Sequence, residues 1–129
     1  MAAILFDTSV AIPLRDGDQL VRERATALVI APYLSILSVA ELEGGIYAKP
    51  EFSAKRQAAL NAMLLSVDIL PFDQKEVQAY RSILASSGYV RARILDRLIA
   101  ATAIANGLAL ATRNPKDFAD IPGLQVEIW

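Results

Sequence analysis

The sequence predicts an α/β domain in which a largely parallel sheet of about five strands is flanked by helices. Three observations lead there. Short apolar runs without polar alternation, as at Leu108-Ala109-Leu110-Ala111, fit strands covered on both faces. Longer stretches between them carry apolar residues at helical spacing, as at Leu95, Leu98, Ile99, Thr102 and Ala105. Glycine and proline sit at the joints, with Asn106-Gly107 offering the left-handed stop that helices commonly use.

Taken in order, Ala3-Ile4-Leu5-Phe6 is the first buried strand, ending in Asp7-Thr8-Ser9. Val10 to Leu14 predicts a short helix limited by Pro13. Asp16-Gly17-Asp18 is a turn, and Leu20 to Ile30 a helix with Leu20, Arg24, Ala27 and Leu28 on one side. Pro32 opens a second strand, Tyr33 to Leu37. Ser38 begins the next helix, which stops before Pro50. Gly44 and Gly45 inside it each cost roughly 1 kcal/mol against alanine, which predicts close packing there. Glu51 to Ser66 is amphipathic, with Phe52, Ala59, Leu60, Met63 and Leu64 inward. Val67 to Phe72 is a third strand. Asp73 and Glu76 form a capping box for a helix carrying Val77, Tyr80 and Leu84 and ending at Gly88. The helix from Ile94, the strand from Leu108 and a terminal strand from Gln125 to Trp129 complete the chain. With no repeat, low-complexity segment or linker, residues 1–129 read as a single domain.

Composition narrows the chemistry. Hydrophobic residues make up 54% and charged ones 21%, which excludes a disordered chain. No apolar run approaches the ~18–20 residues of a membrane span. The apolar start from Ala2 to Phe6 is too short for a signal peptide and has no basic flank, so the expectation is a soluble, cytoplasmic protein. Without cysteine there is no disulfide, thiol nucleophile or thiolate metal site. Without histidine there is no imidazole acid/base and no Ser-His triad. Carboxylates, hydroxyls, amines or a bound ion must do the work. A net charge of −1 leaves no global basic field for nucleic acid, so a polyanionic substrate needs a local basic rim or a metal.

Three acids occupy corresponding places: Asp7 after the first strand, Glu41 after the second, and Asp96 at the head of the helix before the fourth. Singly, each has a structural reading. Asp7 can cap a helix, Glu41 can close a capping box with Ser38, and Asp96 suits a helix dipole. Together they read differently, because right-handed crossovers bring successive strand ends to one side of a parallel sheet. Three carboxylates meeting there repel one another unless a cation neutralises them. Mg²⁺ or Mn²⁺ suits all-oxygen ligands, can activate water and can stabilise charge on a phosphodiester.

Asp7-Thr8-Ser9 after a strand, Ser38-Val39-Ala40-Glu41-Leu42 with Gly45, and Asp96 followed by Leu98-Ile99-Ala100-Ala101 resemble a PIN-domain ribonuclease. Thr112-Arg113-Asn114 and Asp117-Phe118 complete the pattern, which runs from the first strand to Trp129. The nearest subgroup is the VapC-type toxin of type II toxin–antitoxin pairs, FitB-like relatives included. The resemblance implies a PIN-like three-layer α/β/α domain and a metal-dependent endoribonuclease that hydrolyses RNA phosphodiesters with a metal-activated water, leaving 5′-phosphate and 3′-hydroxyl ends. Asp7, Glu41 and Asp96 would be the catalytic, metal-binding acids, and Mg²⁺ or Mn²⁺ the cofactor. Thr8 and Thr112 would be polar support. The fourth acidic position is shared between Asn114, which stands where some relatives carry aspartate and brings no charge, and Asp117, three residues later. The preferred assignment keeps both outside a shell of three acids. The resemblance also implies a homodimer and a cognate VapB-type antitoxin whose C-terminal segment blocks the site, often with a basic side chain.

Arg91, Arg93, Arg97, Arg113 and Lys116 lie in the segments nearest the crevice and either hold RNA phosphates or form a solvated face. Arg113 and Arg97 are the substrate-binding candidates. Tyr33, Tyr47, Phe72 and Tyr80 read as core. Three rivals remain. An Asp7-based phosphatase would want a second carboxylate where Ser9 stands. A phospho-acceptor domain would want an acidic pair near Asp7 and a lysine after a late strand. A catalytically weak binding module acting through an antitoxin–DNA complex is kept open by Asn114.

Overall fold

The computed structural model describes residues 3–129; Ala2, counted above in the apolar start, lies outside them. Five parallel strands form one sheet: β1 (Ile4–Phe6), β2 (Tyr33–Ser35), β3 (Asp68–Leu70), β4 (Ala109–Thr112) and β5 (Val126–Ile128). Their spatial order is β3-β2-β1-β4-β5. The chain first steps outward from β1 through β2 to β3, then returns to the other side of β1 with β4. The direction of winding therefore reverses between β1 and β4, and a crevice opens beyond their carboxyl ends.

Among the described residues, six α-helices cover the two faces: α1 (Thr8–Asp16), α2 (Gln19–Thr26), α3 (Ile36–Ala48), α4 (Ser53–Leu64), α5 (Gln74–Ser87) and α6 (Ile94–Ala105). Alternation along the strands divides the core. Ile4, Phe6, Leu34 and Ala111 face α1 to α4, where Val10, Val21, Leu42, Ile46, Leu60 and Met63 pack. Leu5, Leu108 and Leu110 face α5 and α6, meeting Ile83, Ile99, Ala100 and Phe118. Each fully buried Leu, Ile or Phe contributes about 1.5–3 kcal/mol. Small alanines on α6 let it lie close to β4. Among the described residues no helix is long and apolar enough to cross a membrane.

Several boundaries differ from the sequence reading. α1 starts at Thr8 and runs through Pro13 to Asp16; the left-handed Gly17 (φ 84°), not the proline, ends it. α2 stops at Thr26 rather than Ile30, and it starts from an Asp18 cap in a phase that buries Val21 and leaves Leu20 77% exposed. β2 ends at Ser35, whose hydroxyl accepts from Leu37 N–H (3.1 Å) and caps α3. Ser38 is thus inside the helix, and the capping box expected of Ser38 and Glu41 does not form. Phe52 stands in a 3-10 turn (Pro50–Phe52) before α4 and is exposed, as is Val77. Tyr47 is 72% exposed and lies outside the core. Gly44 meets nothing within 4 Å, so the close packing expected at that position is absent; Gly45 makes only an ordinary 3.7 Å contact with Arg15.

The capping box of Asp73 and Glu76 is present, Gly88 closes α5, and Gly107 (φ 65°) follows α6 as the left-handed stop. Glu76 is fully buried. Its carboxylate accepts from Asp73 N–H (2.7 Å) and from the Asn106 side-chain amide (3.2 Å), so one acid joins the start of α5 to the end of α6.

Candidate functional site

The topology decides which residues meet. Asp7 is the first residue past β1, and Thr112-Arg113-Asn114 leaves β4 beside it, on the two sides of the crevice. α3 follows β2 directly and carries Glu41 in its second turn. α6 must return the chain to the amino end of β4, so it begins at the carboxyl edge and places Asp96 in its first turn there. Asp117 arrives on a 3-10 turn (Pro115–Phe118) after β4.

Asp7 sits at the N-cap position of α1, yet its side chain makes no cap hydrogen bond. It is 5% exposed, and its Oδ2 accepts from the hydroxyls of Ser9 (2.6 Å) and Thr112 (2.9 Å). Each hydroxyl has one proton to give. With both given to Asp7, the 3.2 Å approach of Ser9 to Thr112 is a contact between oxygens without a shared proton. The same hydroxyls accept from the turn: Arg113 N–H donates to Ser9 (3.0 Å) and Asn114 N–H to Thr112 (3.0 Å). The chain of donors runs from backbone through hydroxyl to carboxylate, locking the turn and Asp7 into one unit.

A second relay holds Glu41. Thr8 donates to Glu41 Oε1 (2.6 Å), which leaves the buried Ser38 as donor in its 2.9 Å bond to Thr8. Glu41 itself is exposed. Asp96 is partly buried, and its pKa is raised to about 6, first by burial and then by the negative charges of Asp7, Asp117 and Glu41, with Arg93 opposing. A helix N-terminus would pull an aspartate the other way, so burial and three like charges outweigh the dipole. All four carboxylates share one electrostatic neighbourhood.

That neighbourhood is not yet a closed cage. Among the described residues no group of three acidic side chains is gathered tightly enough, as it stands, to hold an ion. The donor set is nevertheless all oxygen, strongly negative and propped by hydroxyls, which suits a hard divalent cation in kind. A cavity of about 330 Å³ lies elsewhere, walled by residues such as Leu14, Arg15, Arg22, Ala25, Met63 and Val67; none of the acids reaches it.

Two basic residues divide. Arg113 is exposed at the crevice turn, within 3.7 Å of Asp18, a surface pair of little energetic weight. Arg97 is not on the rim at all: it is 1% exposed, bonded to Gly88 O and Asp120 Oδ2 (2.8 Å). The expectation that it contacts substrate is corrected, because helical spacing turns it about 100° from Asp96 and into the protein. Sequence reasoning passed over Ser9 and Ser38 as site residues; it weighed Arg93 as a phosphate contact or part of a solvated face, whereas its guanidinium donates to Asp117 O (3.0 Å). The run of two hydroxyls after Asp7 was the available signal for Ser9; Ser38 was hidden by its resemblance to a cap.

A family model for the PIN domain matches residues 4–124. The chain is 34% identical to the VapC ribonuclease Y4jK of Sinorhizobium fredii over 95% of its own length and 94% of that protein. Among solved structures, VapBC2 from Rickettsia felis bound to a promoter DNA fragment superposes with a TM-score of 0.88 at 25% identity, covering 98% of each chain. FitAcB from Neisseria gonorrhoeae gives 0.74 at 30% identity, covering 95% of each. An acidic crevice at the β1/β4 switch, a family match across nearly the whole sheet and relatives of almost equal length agree: the chain belongs to the PIN-domain family, in its VapC-type branch.

Proposed function

We propose that this protein, acting as one PIN domain over residues 1–129, is a cytoplasmic endoribonuclease toxin that depends on Mg²⁺ or Mn²⁺. The observation that carries the reading is the coupling at Asp96, whose carboxyl is pushed up to about 6 by burial and by Asp7, Asp117 and Glu41. Such mutual repulsion is relieved by a cation. Asp7, Glu41 and Asp96 would hold it, with Glu41, the exposed member, turning inward to complete the set. A divalent ion held there supplies Lewis-acid stabilisation of charge on the phosphoryl oxygens and makes water a better nucleophile.

The chain's own residues do the rest. Ser9 and Thr112 keep Asp7 in one orientation by donating to Oδ2, and Thr8 keeps Glu41 on the crevice side. Arg113 at the turn draws an RNA phosphate toward the acids through its planar fork. Asn114 and Asp117 flank the three acids, Asn114 as a neutral hydrogen-bonding group and Asp117 as a fourth charge.

The relatives solved as VapBC complexes support a VapB-type antitoxin as partner. The cavity beside α1, α2 and α4 offers apolar walls and two guanidinium groups to a partner segment bearing apolar side chains and a carboxylate. An Arg or Lys from the same partner would neutralise the acidic crevice in the cation's place. The functional unit is a homodimer. Incubating the protein with RNA, with and without Mn²⁺, beside Asp7→Asn tests the reading. Cleavage is expected only with the ion and is expected to fall at least 100-fold in the variant; metal-independent cleavage, or an unaffected variant, overturns it.

A second reading, a binding module acting through an antitoxin–DNA complex, draws on the loose spacing of the acids. The same assay separates the two, since that protein leaves RNA intact under every condition.

A further inference from the structure

We propose that Arg97 is a positioning residue that sets the separation of Asp96 from Asp117, through a clamp on the buried side of α6, about 100° around the helix from Asp96. The inference rests on the metal-site reading above and extends it to a residue outside the acidic set.

Asp96 and Asp117 come from different elements, and their charges push α6 and the Pro115–Phe118 turn apart. Two arginines oppose that opening. Arg93, three residues before Asp96, donates from Nη1 to Asp117 O (3.0 Å). Arg97, one residue after Asp96, spans the gap on the buried side. Its Nη1 donates to the carbonyl of Gly88, the closing residue of α5, and its Nη2 to Asp120 Oδ2 (2.8 Å), three residues past Asp117. Ser87 adds a bond from its hydroxyl to Asp120 O (2.5 Å), so the end of α5, the head of α6 and the turn meet at one knot.

The cost of this knot argues for a role beyond holding the fold. Arg97 is 1% exposed while Asp120 is half exposed, so a full charge is buried against a partner still wetted by solvent. Its Nε has no hydrogen-bond partner. A well-packed apolar residue at such a place often stabilises a fold as much or more. What it cannot do is grip two elements at fixed distance with a rigid planar fork. A carboxylate that would hold a cation needs a fixed distance from the charge that flanks it, here Asp96 from Asp117, and outer-shell partners of metal ligands typically govern affinity by 10–100-fold.

The test measures Mn²⁺ affinity by the electron paramagnetic resonance signal of the free ion at 10 °C, with circular dichroism confirming the fold of every variant. Arg97→Lys keeps the charge but loses the fork, and is expected to weaken Mn²⁺ binding by roughly 10–100-fold. Asp120→Ala removes the half-exposed partner, leaves the buried guanidinium without its counter-charge and so lowers the melting temperature, and is expected to weaken Mn²⁺ binding at least fivefold, with Asp120→Glu restoring most of both losses. A lowered melting temperature with an unchanged Mn²⁺ dissociation constant in both Arg97→Lys and Asp120→Ala overturns the inference and leaves Arg97 a purely structural anchor. Asp96→Asn serves as the comparator. If it too binds Mn²⁺ like the wild type, the metal-site reading falls, and the inference falls with it.

Discussion

Replacing Asp96 with asparagine removes a charge while keeping shape, and its consequence for stability can be worked from the site. In the folded protein the carboxyl titrates at about 6 rather than 3.8. Between those values the native state holds a proton that the unfolded chain has released. Stability contributed by this group is therefore complete below about pH 4 and is lost as pH rises through 6. The full displacement corresponds to about 3 kcal/mol; for a partly exposed side chain, solvent screening reduces it to roughly 1–1.5 kcal/mol. Asp96→Asn escapes that cost, so at pH 7.5 and without divalent ions it should melt about 3–6 °C above the wild type, given the usual unfolding entropy of a domain this size. The assay is differential scanning fluorimetry in EDTA from pH 4 to 8. The gap should open across pH 4–6 and close again at the acid end. Adding Mn²⁺ at a hundred times its dissociation constant should raise the wild type by about 2.7 kcal/mol and leave the variant unmoved. A gap that is flat with pH, or a variant less stable at pH 7.5, refutes the claim that Asp96 is held among like charges.

Other substitutions probe the surroundings. Thr112→Val deletes the hydroxyl that donates to Asp7 and accepts from Asn114 N–H; it should cost about 1–3 kcal/mol and lower Mn²⁺ affinity at least tenfold, as read by denaturant melts and titration calorimetry. Asn114→Asp adds a fourth charge at the crevice turn, and calorimetry should show tighter Mn²⁺ binding, with a second ion per chain if that position is ligating. Gly44→Ala, at a helix position with nothing within 4 Å, should stabilise the fold by roughly 0.5–1 kcal/mol and leave RNA cleavage unchanged. Glu76→Ala strands the Asp73 N–H and one of the two hydrogens of the Asn106 amide, the other still donating to Thr102 O, and should cost about 1–3 kcal/mol while cleavage per folded molecule is preserved.

Much of this protein was legible in the chain because it rests on local physics. Apolar runs without alternation marked strands buried on both faces, and the Asp73/Glu76 box and the Asn106-Gly107 stop marked helix ends, since capping involves residues only a few positions apart. The spacing of Asp7, Glu41 and Asp96 against strand ends pointed to one crevice, because parallel connectivity leaves few other arrangements. Tertiary structure decided the remainder. Whether Ser38 caps α3 or lies inside it depended on one hydroxyl at Ser35. Arg97 and Asp96 are neighbours in sequence, yet one is sealed in a clamp and the other faces the crevice, because a 100° step on a helix separates solvent from interior. The hydroxyl relay from the turn after β4 to Asp7 joins residues more than a hundred positions apart, and only the pairing of β1 with β4 brings them within reach.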